Sequence, residues 1–460
     1  MRAVPVPQCE GLEVRTLGGR HDLLALAAAR PERYPGLFES AADGTAQARY
    51  DVLLAFPQET LALDGDGEVR NGHGQSLGGS FLHALDAAWS RSRVEGRPGP
   101  DLPFHGGWLL YLGYELAAEI EPRLELAHPA SGMPVAMAWR CPVAAIVDHE
   151  TNCTVLIAEP GHGLQLDQLE RDLAGMIAPS PAALDPVSVE EDEECRFLDG
   201  VARTRDYLHA GDVFQVNLSR EWRLELSAPV APGAIYAALR RANPAPFAGL
   251  LQGADWAIAS SSPERLVQTR GDRVQTRPIA GTRARTAGED DAARIHELVG
   301  HPKERAEHVM LIDLERNDLG RVCVAGSIEV NELMLVESYA HVHHIVSNVR
   351  GRLRPGTTPA QVIRAVFPGG TITGCPKVRC MEIIAELERG PRDCYTGAMG
   401  YLDNNGDLDL SILIRTLAIS GRQVRLRAGA GIVVDSDAQA ELAETRAKAR
   451  GMLRAFGISG

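Results

Sequence analysis

Apolar residues along this chain switch between helical and strand spacing. Residues 22–30 are rich in alanine and leucine and predict a helix that stops before Pro31. Residues 50–56 read as a buried strand and 80–93 as an amphipathic helix. An apolar strand within 101–114 is entered through the Gly106-Gly107 turn, and 143–147 with 154–158 form a hairpin pattern. Further on, 198–210 predict a helix closed by Gly211, 213–220 a strand, and 232–242 a helix opened by Pro232. Strands are expected at 256–260, 274–277, 397–402, 408–419 and 424–434. Several follow one another directly, which predicts an α+β fold with largely antiparallel sheet. Between 179 and 194 the composition turns to proline, alanine and acid, the mark of a linker or long surface loop. It separates region 1–185 from region 195–458.

One predicted helix carries candidate chemistry. It follows His301-Pro302, and Met310, Leu311 and Leu314 give it an apolar face. Glu304 and Glu307, three residues apart, project from one side. A second Glu-x-x-Glu pair, Glu441 and Glu444, lies near the C-terminus with Lys448 four residues beyond. Taken alone, the first pair reads more simply as a solvated acidic face. Two such helices facing across a cleft could instead hold Mg²⁺, which takes one or two carboxylates, water and substrate oxygens.

Composition narrows the partners. The 460 residues include 47 basic and 61 acidic side chains, a net charge of −14 that argues against nucleic acid. No apolar run reaches the ~20 residues of a membrane span, and residues 1–7 hold no apolar signal core. The eight cysteines form no C-x-x-C pair or zinc spacing, as expected of a cytoplasmic protein with reduced thiols. Ala428-Gly429-Ala430-Gly431 leads into strand-type residues without completing G-x-G-x-x-G, and no Walker loop is present. The turn from Phe367 to Lys377 is rich in glycine and hydroxyls and opens a helix, which reads equally as a helix start whose backbone N–H groups favour an anion or as a tight, capped structural loop.

Together the motifs resemble the chorismate-utilising enzymes, the family that includes anthranilate synthase component I and aminodeoxychorismate synthase component I. The resemblance rests on Phe214-Gln215-Val216-Asn217-Leu218-Ser219, Ser262-Pro263-Glu264-Arg265, Arg277-Pro278-Ile279-Ala280-Gly281-Thr282 and Glu307-His308 with Arg316-Asn317-Asp318. It continues through His344-Ile345-Val346-Ser347, Gly370-Thr371, Ser411-Ile412-Leu413-Ile414-Arg415-Thr416, the Ala428–Gly431 strand and Glu444-Thr445. Region 1–185 matches more loosely, through Arg33-Tyr34-Pro35, Glu39-Ser40 and Pro103-Phe104-His105-Gly106-Gly107.

This resemblance implies two layers of twisted antiparallel sheet with helices outside, an N-terminal region and a chorismate-binding catalytic domain. It implies chorismate as substrate and Mg²⁺ on Glu307 and Glu444, with Glu304 and Glu441 close by. It makes Glu264 the proton donor to the C4 hydroxyl and gives His344, Ala280 and Gln215 catalytic positions. Gly281, Thr282, Thr371, Tyr395, Arg415, Gly429, Ala430, Gly431 and Lys448 would line the substrate site. Ser40, Pro244, Ala245 and Pro246 would be the remnant of a tryptophan site.

Relatives that add water to chorismate carry a lysine base where this chain has Gln215, so ammonia is the expected nucleophile. No glutaminase nucleophile elbow is present, and Cys375 lies in a Gly-Cys-Pro turn. Ammonia should therefore come from a separate glutamine amidotransferase subunit. Val342-His343-His344-Ile345, the 367–374 loop and residues 101–107 and 207–212 resemble the aminodeoxychorismate type. Asn243-Pro244-Ala245-Pro246-Phe247 also departs from the tryptophan-sensing Asn-Pro-Ser-Pro-Tyr pattern. Ala280 instead resembles anthranilate synthases, and a non-catalytic carboxylate-binding relative is the third reading. Alanine at 280 supplies no amine, so intact-protein mass spectrometry without an ammonia source should show no chorismate adduct on the wild type. Ala280→Lys should form one, because a desolvated lysine is partly neutral and nucleophilic; an adduct on the wild type would contradict this.

Overall fold

The computed structural model describes residues 11–40, 49–97, 99–129, 132–176, 184–284, 302–338 and 342–458. Two large sheets face each other, and every strand pairing among the described residues is antiparallel. The first sheet has 12 strands, in the spatial order Glu13–Gly18, Cys153–Ala158, Val143–Asp148, Tyr50–Ala55, Gly36–Glu39, Phe247–Gln252, Ala257–Ser262, Thr416–Ser420, Gln423–Ile432, Gln215–Leu226 and Pro186–Glu191. Its twelfth strand, Gly374–Cys375, pairs with Gln215–Leu226. The second sheet has 11 strands and runs from Ile279–Ala284 through Val342–Arg352, Arg273–Thr276, Arg265–Arg270, Leu408–Ile412, Ala398–Asp403 and Gly107–Leu112 to Ala136–Cys141, Thr60–Leu63 and Val69–Asn71. Its remaining strand, Glu329–Ser338, pairs with Val342–Arg352.

Residues 1–185 and 195–458 build both sheets jointly. Gly36–Glu39 pairs with Phe247–Gln252 in the first, and Gly107–Leu112 pairs with Ala398–Asp403 in the second. The layer between the sheets is filled by Val52, Leu54, Ile146, Leu251 and Ile258 from one side and Leu109, Tyr111, Trp139, Met399 and Tyr401 from the other. Gly36 lies where a Cβ would meet the Leu109 side chain at 2.6 Å, so a glycine there lets the sheets close.

Helices cover the outer faces. Leu24–Ala29, Gly163–Gly175, Pro232–Ala242 and Ala438–Leu453 pack on the first sheet. Phe81–Ser92, Pro302–Gly320 and Pro359–Val366 pack on the second. Local chemistry sets their ends. The Ser80 side chain accepts from the His83 N–H at 3.2 Å, Thr358 and Gln361 form a reciprocal capping box, and Gly211 closes Glu194–Ala210 in the left-handed region.

Two expected elements differ. The acidic stretch read as a linker contains the edge strand Pro186–Glu191, tied to Gln215–Leu226, and the next helix begins at Glu194. Backbone pairing and Arg220, which forms an ion pair with Glu191 at 2.6 Å, hold it there despite its charge. Residues 179–183 of that linker lie outside the described residues. The run 408–419 is two strands, not one. Leu408–Ile412 belongs to the second sheet and Thr416–Ser420 to the first, with the break at Arg415, whose φ is 55°.

Ile258 is wholly buried between the sheets, whereas Leu164 is 81% exposed on a helix. Ile258→Ala should therefore cost about 2–5 kcal/mol by denaturant unfolding, and Leu164→Ala less than about 0.5 kcal/mol. Equal effects would contradict this packing.

Candidate active site

The chain crosses from one sheet to the other twice at the same place. After Ala257–Ser262 in the first sheet it passes Pro263 and Glu264 into Arg265–Arg270 of the second. After Leu408–Ile412 in the second it passes Leu413, Ile414 and Arg415 into Thr416–Ser420 of the first. The crossovers are hydrogen bonded to each other: the Ile412 N–H donates to the Glu264 carbonyl at 3.0 Å, and the Ser261 N–H to the Arg415 carbonyl at 3.1 Å. An acid and a cation are thereby held on adjoining backbone.

Glu264 is 5% exposed. Burial is the main cause that raises its carboxyl to about 8, and Glu315 pushes the same way. The Thr371 hydroxyl, which donates to Glu264 Oε1 at 2.8 Å, the Ile279 backbone and the Lys448 charge act against burial without overcoming it. The carboxyl is therefore largely protonated at neutral pH, the state a general acid needs. Thr371 sits in the 3₁₀ turn Gly370–Ile372, against the helix Pro302–Gly320.

Arg415 is half-buried, and desolvation alone pushes its guanidinium down from its usual range. No ion pair to a described carboxylate satisfies it. Burial and the Arg415 charge push His344 down to about 4, so its imidazole is neutral at pH 7. His344 lies on Val342–Arg352 and is hydrogen bonded to the Gly281 backbone. The opposing strand is irregular at this point, between Ala280 and Thr282, with Gly281 at φ 68°. Ala280 is half-buried, and the Thr282 side chain lies outside the described residues.

A third wall comes from Gln215–Leu226 and Gln423–Ile432. A Cβ on Gly429 would meet Asn217 Oδ1 at 2.6 Å and the Tyr395 hydroxyl at 2.7 Å, and one on Gly431 would meet Gln215 Nε2 at 2.2 Å. Glycine is thus required so that these polar side chains can lie against the strand, while the buried Ala430 side chain points into the apolar layer behind. Gln215 Oε1 and Asn217 Oδ1 are buried without a hydrogen-bond partner among the described residues. Lys448 donates to the Gly429 carbonyl at 2.8 Å and pairs with Glu444 at 2.7 Å.

The carboxylate pairs lie on the two expected helices. Glu307 and Glu441 are half-buried and Glu444 is exposed, while the Glu304 side chain lies outside the described residues. Among the described residues no three His, Cys, Asp or Glu groups converge on one metal position. Ser40 and Pro246, away from these residues, line a cavity of about 650 Å³, with Arg49, Arg265 and Arg277 among its walls. Ala245 is buried and Pro244 half-buried beside it.

Sequence reading passed over Glu315. It is buried on Pro302–Gly320 and raised to about 7 chiefly by burial, with Asp318 pushing the same way. Its signal was available: eleven residues is close to three helical turns, so Glu315 shares a face with Glu304 and His308. Arg392, fully buried between the site's segments, carries no comparable pattern.

A family model described as chorismate binding enzyme matches residues 41–454. Aminodeoxychorismate synthase component 1 of Bacillus subtilis is 39% identical over 450 residues, covering 94% of this chain and 93% of that protein. Anthranilate synthase component 1 of Thermus thermophilus is 42% identical over 431 residues, 91% of each. The crystal structure of anthranilate synthase component I from Streptococcus pneumoniae superposes with a TM-score of 0.78 at 32% identity, covering 89% of this chain and 93% of that one.

The buried Glu264 carboxyl carries a stability signature. Its folded-state pKa is raised, so its proton favours the folded state at low pH, and that contribution is lost as pH rises from about 4.5 through about 8. Glu264→Gln has no such charge to bury. Denaturant unfolding should show the stability of the variant relative to wild type rising by a few kcal/mol between about pH 5 and about pH 9. A difference independent of pH would contradict the protonated state.

Proposed function

This chain belongs to the chorismate-binding enzyme family, and from that premise we propose that it replaces the C4 hydroxyl of chorismate with ammonia, giving 4-amino-4-deoxychorismate. The observation that carries the reading is the protonated Glu264, hydrogen bonded to Thr371, on backbone that adjoins a half-buried Arg415 with no counterion among the described residues.

Arg415 binds a substrate carboxylate, for which a guanidinium fork is suited. His344, neutral and fixed by the Gly281 backbone, packs beside it without adding charge. Glu264 gives its proton to the C4 hydroxyl, which leaves as water; ammonia forms the new C–N bond and gives up a proton, which restores the acid. Gln215 cannot deprotonate water at neutral pH, so the site favours a nucleophile that needs no base. Lys377 is tied to Asp318 at 2.5 Å and Lys448 to Glu444, which leaves neither as a free amine for covalent attack.

Glu307 and Glu444 would hold Mg²⁺, with Glu304 and Glu441 close by. All four are hard carboxylate donors, and two of them with substrate oxygens and water make an ordinary Mg²⁺ set. When bound, the ion supplies Lewis-acid stabilisation of charge on the substrate carboxylate.

Ammonia comes from a separate glutamine amidotransferase. Cys375 does not serve as a glutaminase nucleophile in this chain, since burial pushes its thiol up and away from the reactive thiolate. Among the described residues no helix is long and apolar enough to cross a membrane. The second reading, anthranilate formation, is favoured by Ala280, and relatives of both names match at 39% and 42% identity. The aminodeoxychorismate-type motifs around His344 and Thr371 favour the first.

The purified chain incubated with chorismate, Mg²⁺ and ammonium should yield a product with the mass of 4-amino-4-deoxychorismate, and none with glutamine alone. Its rate should climb with pH as ammonium deprotonates, then fall as Glu264 ionises near 8. Anthranilate as the product would assign the second reading, and glutamine-dependent turnover would overturn the separate ammonia source.

A further inference from the structure

Arg392 lies outside the site's lining, at the junction of four segments that supply it. All five of its N–H donors have acceptors. Nη1 donates to the Ile372 carbonyl and the Thr396 hydroxyl, both at 3.2 Å. Nη2 donates to the Asn217 carbonyl and Glu388 Oε1, both at 2.7 Å, and Nε to Glu388 Oε2 at 3.0 Å. Its guanidinium also stacks over Tyr395 at 5.4 Å and Tyr114 at 4.9 Å.

Three of these contacts, to Ile372, Asn217 and Tyr395, lead to the site. Ile372 follows Thr371, which holds the Glu264 carboxyl. Asn217 and Gln215 share one strand face, and the Tyr395 hydroxyl lies against Gly429. Glu388 completes the junction: it accepts from the Ser219 N–H and hydroxyl at 2.8 Å each and from Arg427 at 2.9 Å. Two cations share this one buried carboxylate and hold it ionised, below its usual range.

We propose that Arg392 is a positioning residue for chorismate turnover, setting Thr371 against Glu264 and Tyr395 against the glycine strand at once. A salt bridge kept only for stability would need just the Glu388 contacts. The donors aimed at Ile372, Thr396 and Asn217 fix backbone and side chains of separate segments relative to one another. Lysine, a point charge with three donors, can keep the pair with Glu388 but not the planar fork. The inference rests on the reading of the Glu264 and Arg415 region as a chorismate site.

The test compares Arg392→Lys with Arg427→Lys, which also contacts Glu388 but touches neither Ile372 nor Tyr395 in the contacts above. Steady-state kinetics with chorismate, Mg²⁺ and ammonium should show kcat/KM falling about a hundredfold in Arg392→Lys, with kcat and KM both affected, and changing little in Arg427→Lys. The Thr371 hydroxyl favours the ionised Glu264, against Glu315 and burial, so its displacement should also move the alkaline limb of the Arg392→Lys profile to higher pH. Thermal unfolding identifies a variant that fails to fold, in which case Arg392→Gln paired with Glu388→Gln replaces it with the same kinetic expectation. Active Arg392 variants with wild-type kcat/KM and an unmoved alkaline limb would overturn the inference. Equal losses in Arg392→Lys and Arg427→Lys would do so too, and would leave Arg392 a structural ion. An inactive wild type would instead defeat the chorismate reading itself.

Discussion

Two sheets can build one site between them only if something fixes their separation, and here the paired crossovers at Glu264 and Arg415 do so. Each strand that changes sheet forces a short stretch of backbone to span the gap. The two stretches hydrogen bond to each other, Ile412 to Glu264 and Ser261 to Arg415, which pairs backbone groups that the crossing would otherwise strand in the interior. The left-handed conformation at Arg415 is a consequence. A non-glycine residue holds that conformation only where the surroundings over-determine it, and such places concentrate at functional sites. Sheet architecture and site geometry are thus one constraint.

The electrostatics follow from the same enclosure. Burial keeps a proton on Glu264 and takes one off His344, while Arg415 remains a cation that burial disfavours. The result is a site with one neutral acid, one neutral imidazole and one positive charge that no described carboxylate pairs. Such a site is poised for an anionic ligand with a hydroxyl to be protonated. Behind it, each charge of the Glu388, Arg392 and Arg427 junction is paired and hydrogen bonded.

Much of this was legible in the sequence. Helix 232–242 was read to the residue because Pro232 opens it and polar residues break the apolar face after Ala242. The 143–147 and 154–158 hairpin followed from its apolar runs and the intervening turn. Arg415 was expected in the site, yet the break in its strand was not, since the apolar run from Leu408 to Ile419 holds no glycine or proline to mark a change of sheet. The edge strand Pro186–Glu191 hid behind acidic composition, because an edge needs little apolar burial. Arg392 escaped for a different reason: its partners come from residues 217, 372, 388 and 396, a proximity that only the fold creates.

The central claim is that the crossovers hold Glu264 and Arg415 for one bound molecule. The most direct measurement is a crystal structure of the chain with chorismate and Mg²⁺, using Glu264→Gln to prevent turnover. The account predicts a chorismate carboxylate within hydrogen-bond reach of Arg415 and the C4 hydroxyl against residue 264. Chorismate bound with either residue out of contact would contradict it.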